Sequence, residues 1–457
     1  MKRHAALFAF ALVVVVVACA GPRQDATSLP SSGAAAATRH HRKTLPTPIQ
    51  HVVIIFQENR TTDYLFNGML AYGANIATTA LDSKGQVVAL KPISLAAPYD
   101  LGHGRGSFVD DCDMQPNHTC KMDGFDKHLP TKYHLRPFGY APQSEVQPYL
   151  DMATQYVFAD NMFQTNQAGS FPAHQYIISG DASGEPATAD NVSSDPYNSK
   201  NGAKTPAGCD APSLSVVNTI DPVSGSPGPT PFPCFERPVL SDLLDTAGVS
   251  WRYYQEGLGP GLWHAPDAIQ HIRYGSDYAY VITPPEKILY DIHHRTLPGL
   301  SWVMPADGYH SDHSGNRSTA GPSWVAAVVN AIGQTSYWKS TAILITWDDW
   351  GGWYDHVSPQ QFNSYELGFR VPLVVVSPYA KRGTSREGYI SHVQYEFGSI
   401  LAFAEETFGI PKGSLGSTDV RANDLSDAFD FTQQARPFVV ISAPPFVPKS
   451  SAIEEDP

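Results

Sequence analysis

The sequence predicts an α/β fold, a mostly parallel central sheet with helices on both faces and long loop insertions. Three observations predict it. Short, continuous apolar runs recur without the polar alternation of a half-exposed strand. Amphipathic helical stretches separate those runs, the order expected of a parallel sheet. Polar and acidic clusters follow two of the runs directly, and in open α/β sheets ligands bind outside the carboxyl ends of strands. Hydrophobic residues make up 42% of the chain and charged residues 16%, enough apolar material for a large core and too little charge for a disordered chain.

In chain order, residues 1–20 read as a signal peptide, with Lys2 and Arg3 ahead of an apolar run from Ala5 to Ala18. Two cleavage readings stand open. Val16-Val17-Ala18-Cys19 resembles a bacterial lipoprotein box, which places a lipid anchor on Cys19, whereas Ala18-Cys19-Ala20 fits soluble export. The run falls short of the roughly 20 apolar residues of a membrane span, so no transmembrane span is expected in the mature chain. Export implies a periplasmic, outer-membrane or secreted location. Residues 21–48 are rich in Ala, Ser, Thr and Pro and form a flexible linker.

Order begins at His51-Val52-Val53-Ile54-Ile55-Phe56, a run suited to a strand buried on both faces, and residues 49–457 are expected to form one domain. Helical patterns follow at Val146 to Gln155, Val239 to Gly248, Ser323 to Gly333 and Gln394 to Thr407. Tyr156 to Ala159 is a weaker strand; Thr341 to Thr346 and Val371 to Val376 are strong ones. Residues 183–233, dominated by Gly, Pro, Ser, Asp and Asn, are expected to be loops over one edge of the sheet. Beyond Cys19 four cysteines remain, and loop closure favours pairing near neighbours, Cys112 with Cys120 and Cys209 with Cys234. With 31 basic and 44 acidic residues the net charge is −13, which argues against a nucleic-acid partner because phosphate backbones need a basic surface.

The first strand runs into Gln57-Glu58-Asn59-Arg60-Thr61-Thr62-Asp63 and the second strong one into Trp347-Asp348-Asp349-Trp350-Gly351-Gly352. Adjacent carboxylates at a strand end repel unless a cation or proton lies between them, so Asp348-Asp349 suggests a metal. The glycines that follow permit close backbone approach. Ala168-Gly169-Ser170-Phe171-Pro172 reads as a loop entering a helix, with Ser170 at the N-cap and Pro172 in the first turn. A serine there sits in positive potential. Histidines recur in other polar loops, at His103, His310, His313 and His356. Converging on carboxylates, they supply metal ligands, oxygen donors or a general acid.

Together these segments resemble the bacterial phosphoesterase family that includes phospholipase C and an acid phosphatase, within the alkaline phosphatase superfamily. The resemblance is carried by Glu58-Asn59-Arg60-Thr61-Thr62-Asp63, Lys121-Met122-Asp123-Gly124-Phe125, Ser311-Asp312-His313, Asn330-Ala331-Ile332, Trp347-Asp348-Asp349-Trp350-Gly351-Gly352 with Tyr354-Asp355-His356-Val357, and Arg370-Val371-Pro372 with Ser377-Pro378-Tyr379. It runs from about His51 to Phe408. It implies an alkaline-phosphatase-like fold and a metal-dependent phosphoric ester hydrolase working through a phosphoseryl intermediate. Glu58, Asn59, Asp348 and Asp349 match metal ligands, Ser170 the nucleophile, and His103 and His313 catalytic histidines, while His356, His174 and Lys121 are assigned to substrate binding. The resemblance implies a divalent ion as cofactor, calcium, zinc, magnesium or manganese, and a phosphate ester or phospholipid as partner.

One departure is plain: the family's phospholipases commonly have Pro-Asn-Arg after the nucleophile, and this chain has Pro172-Ala173-His174. Two rivals remain. Ser170-Phe171-Pro172-Ala173-His174 is faintly similar to the sulfatase modification signal, although it lacks that signal's arginine. A non-catalytic surface lipoprotein that binds phosphorylated ligands is the other.

Overall fold

The structure is a computed structural model that describes residues 47–185, 190–306, 310–384 and 388–447. The expected signal peptide, with Cys19, and all but the end of the linker lie outside the described residues. Among the described residues no helix is long and apolar enough to cross a membrane.

The apolar run at the start of order forms β1, His51–Gln57, and its place in the sheet explains why it has no polar side. Seven further strands complete the sheet: β2 Val157–Ala159, β3 Trp251–Tyr254, β4 Val281–Ile282, β5 Leu300–Val303, β6 Thr341–Trp347, β7 Leu373–Val376 and β8 Tyr389–Ser391. Their order is β4-β3-β5-β1-β6-β7-β2-β8, with β1 between β5 and β6 and parallel to both. Only β7 runs against its neighbours β6 and β2. It begins after Pro372, which has no N–H to give a ladder.

Helices cover both faces. Among the described residues the α-helices of eight residues or more are α1 Arg105–Cys112, α2 Gln143–Gln155, α3 Ser170–Ser179, α4 Leu240–Ala247, α5 Gly321–Gly333 and α6 Phe397–Thr407, of which α1 packs in a cluster apart from the main core. The pleat sorts the side chains: Phe56 meets Phe397 of α6 edge-on at 5.2 Å, whereas Trp347, opposite the next residue of β1, meets Tyr149 of α2 at 5.1 Å. Accordingly α2 packs with α5 on one face, and α3 with α6 on the other. The expected start of α6 at Gln394 moves to Phe397, because the Glu396 N–H bonds to Ser399 Oγ at 3.1 Å and closes a cap there.

Both expected disulfides form, Cys112–Cys120 and Cys209–Cys234. Residues 183–233, expected as loops, contain short antiparallel ribbons, Asp190–Val192 with Ser183–Glu185 and Thr219–Ile220, and Tyr197–Asn198 with Ser215–Val216. Their apolar side, Val192, Ala207 and Val217, packs on Phe171 at the start of α3.

Candidate active site

Because Gln57 lies opposite Trp347 in parallel strands, the residues that follow them emerge side by side. The Asp348 N–H donates to the Gln57 carbonyl at 3.0 Å. Asp348 Oδ1 in turn accepts from the Asn59 and Asp349 N–H groups, each at 2.7 Å. These bonds hold Asn59 in the left-handed region, φ 57°, which asparagine tolerates better than most side chains. Gly351, φ 62°, passes so near that a Cβ there would overlap the Asn59 carbonyl. The close approach expected of the glycines thus has a definite partner.

α3 brings the serine. Its N-cap is Gly169, so Ser170 is the first helical residue rather than the cap, a shift of one position. The consequence is chemical: a capping hydroxyl would be tied to a backbone N–H, whereas Ser170 Oγ stands 3.2 Å from Asp349 Oδ2, 3.4 Å from Glu58 Oε2 and 3.4 Å from Asn59 Nδ2. The free helix N–H of Phe171 is taken instead by Asp195 Oδ1 at 3.2 Å. Asp195 is a residue the sequence reading passed over, since it lies in the insertion with no periodic pattern around it. Asn59 Nδ2 also bonds both oxygens of Asp349, at 3.1 and 3.2 Å.

One turn beyond Ser170, His174 shares its side of α3. Its Nε2 is 2.8 Å from Glu58 Oε1 and 4.0 Å from Asp348 Oδ2. Expected to bind substrate, it lies among the carboxylates expected to bind metal. Burial pushes its pKa down to about 4. Burial, and then the charge of Asp348, push Asp349 well above the usual carboxylate range. His103 and His313 stand with ring centres 5.8 Å apart, and each Nδ1 lies 2.7 Å from a backbone carbonyl, of Leu101 and Ser314 respectively. Such a bond places a proton on Nδ1 and turns Nε2 the other way. Burial works against a charge on His103, but Asp349 and Asp100 outweigh it and raise its pKa to about 9. The His103 carbonyl and ring also border Gly169, next to the serine. Trp263 lies 6.1 Å from the His313 ring and 6.4 Å from that of His174.

The other two expected substrate residues have partners elsewhere. His356 bonds Asp63 Oδ2 at 2.7 Å and Asn75 Oδ1 at 3.0 Å, beside Arg370, which bridges Asp63 and Asp355. Lys121 is exposed and pairs with Asp123 at 2.5 Å.

The buried set fits a cation. Oxygens of Glu58 and Asp348 and a ring nitrogen of His174 all lie within 4.8 Å of one another. Asn59 Oδ1 and Asp348 Oδ2 are buried with no hydrogen-bond partner, a state that is costly unless something positive faces them.

The family model described as the Phosphoesterase family matches residues 49–411. The chain belongs to the Phosphoesterase family. This phosphoesterase is 25% identical over 442 residues to phospholipase C A of Mycobacterium tuberculosis, covering 84% of its own chain and 78% of that protein. It is 24% identical over 462 residues to the non-hemolytic phospholipase C of Pseudomonas aeruginosa, covering 88% of its own chain and 60% of that one. Among solved structures, a protein of the alkaline phosphatase superfamily from Vibrio parahaemolyticus aligns with a TM-score of 0.38 at 9% identity, over 84% of this chain and 74% of that one. The phosphoesterase is a hydrolase of phosphoric ester bonds.

Proposed function

We propose that the phosphoesterase transfers the phosphoryl group of its substrate to Ser170 Oγ and then to water, using a divalent metal held by Glu58, Asn59, Asp348 and Asp349. The observation that carries this reading is the position of Ser170 Oγ, buried at a helix start and within 3.4 Å of Glu58, Asn59 and Asp349. A divalent cation bound there supplies positive charge that favours the serine alkoxide and relieves the repulsion between the facing carboxylates. Ser170 Oγ gives up its proton to Asp349 Oδ2, 3.2 Å away, and attacks phosphorus, and the ester oxygen departs on the opposite side. His103, charged and fixed through Nδ1, turns its Nε2–H toward a non-bridging oxygen, and His313 protonates the leaving group. Water then opens the phosphoseryl ester.

The phospholipase C relatives favour a phosphoric diester with a lipid alcohol as leaving group. A metal-stripped and metal-restored panel of an aryl phosphate monoester, an aryl diester and phosphatidylcholine tests both points. Restored turnover greatest on the diesters is expected, and full turnover without metal would overturn the reading. Ser170→Ala is expected to lower kcat by at least about a thousandfold while the unfolding midpoint holds. Mass spectrometry should find a trapped phosphoserine in wild type only. The two disulfides support export, because such bonds persist in oxidising compartments.

A further inference from the structure

We propose that His174 Nε2 is itself a ligand of the active-site metal, so that the site is a mixed nitrogen and oxygen set that selects a borderline transition ion such as zinc over calcium or magnesium. The inference rests on the proposed metal site at Glu58, Asn59, Asp348 and Asp349.

His174 is fully buried, its Nδ1 has no hydrogen-bond partner, and packing on both sides fixes the plane of its ring. Phe56 meets it edge-on at 4.8 Å and Trp263 lies nearly parallel to it at 6.4 Å. That packing aims Nε2 into the gap between two strand ends, 2.8 Å from Glu58 Oε1 and 4.0 Å from Asp348 Oδ2. Atoms that share one ion at bond lengths of about 2.0–2.2 Å stand roughly 3–3.5 Å from each other, and the two distances bracket that spacing. A proton on Nε2 would satisfy Glu58 Oε1 and leave Asp348 Oδ2 buried without a partner. A cation inside the triangle satisfies all three atoms. Calcium and magnesium take oxygen ligands, whereas imidazole suits zinc and its neighbours, so one nitrogen in the set shifts the preference.

The test reads the bond directly. Full-length protein carrying isotopically labelled histidine nitrogen is stripped, loaded with Mn(II) and examined by pulsed electron paramagnetic resonance. Coupling to a histidine nitrogen is expected in wild type. It should vanish in His174→Gln with Mn(II) still bound, and persist in His103→Gln and His313→Gln. In titrations, His174→Gln should weaken Zn(II) binding by about tenfold or more and leave Ca(II) binding within about twofold. Mn(II) bound without nitrogen coupling in wild type, or coupling that survives in His174→Gln, overturns the ligand assignment and leaves the metal reading standing. Wild type that takes up none of Mn(II), Zn(II) or Ca(II) overturns the metal reading and this inference with it. Should His174→Gln fail to fold, loss of the coupling in His103→Gln or His313→Gln would overturn the assignment, and its persistence in both would support it.

Discussion

Asp111 shows what a buried charge costs at the residue scale. It is fully buried beneath Trp350, whose Nε1–H donates to its Oδ2 at 2.9 Å, and His128 stands 3.3 Å from its other oxygen. Burial outweighs both partners and raises its pKa to about 7, while Asp111 holds that of His128 above its usual value against burial. Both shifts have the same sign. The folded protein binds more protons than the unfolded chain from about pH 4 upward, so stability from this pair falls as pH rises toward 7 and beyond. Asp111→Asn is expected to flatten that slope in urea unfolding measured from pH 4 to pH 8, and an unchanged slope would count against it. Of the site residues, Glu58, Asn59, Asp348 and Asp349 were legible because each follows an apolar run directly. His174 was legible as a helical residue one turn beyond Ser170 and was assigned to substrate, because sequence spacing puts it on the side of Ser170 without saying what that side faces.

Among elements, the two turns after β1 and β6 decide the geometry, and Gly351 is where they touch. Gly351→Ala forces a Cβ against the Asn59 carbonyl at a positive φ. A left-handed alanine alone costs about 1–2 kcal/mol, and the overlap adds to it. The expected result is a lower unfolding midpoint together with a large loss of turnover, since Asn59 must move. Gly73, also at positive φ but with open space around it, is the control, and Gly73→Ala should lose stability without losing turnover. β1 and β6 were readable as uninterrupted apolar runs. β3, β4, β5 and β8 were not, because they are two to four residues long and the polar Arg252 and Ser301 interrupt two of them. What makes them strands is pairing with distant partners, as Leu300 pairs with Val52.

For the whole molecule, the insertion and the net charge set the outer conditions for catalysis. The Cys209–Cys234 bond closes a 25-residue separation within the segment that rests on Phe171. Removing it with the double variant Cys209→Ser, Cys234→Ser is expected to cost roughly 3 kcal/mol in urea unfolding and to lower turnover through the start of α3. The net charge of −13 should make turnover faster on zwitterionic than on anionic vesicles, with the difference shrinking in about 0.5 M salt. A preference for anionic vesicles would contradict this. By itself the sequence determined the class of fold, the strand ends that carry the acids and the cysteine pairing, because apolar period, turn chemistry and loop closure are properties of short stretches of chain. Only the tertiary structure decided that Ser170 and His174 lie among the four strand-end residues with His103 beside them, and that His356 and Lys121 pair elsewhere. Those facts depend on which strands lie side by side and in what register, and residues more than a hundred positions apart meet only when the sheet has formed.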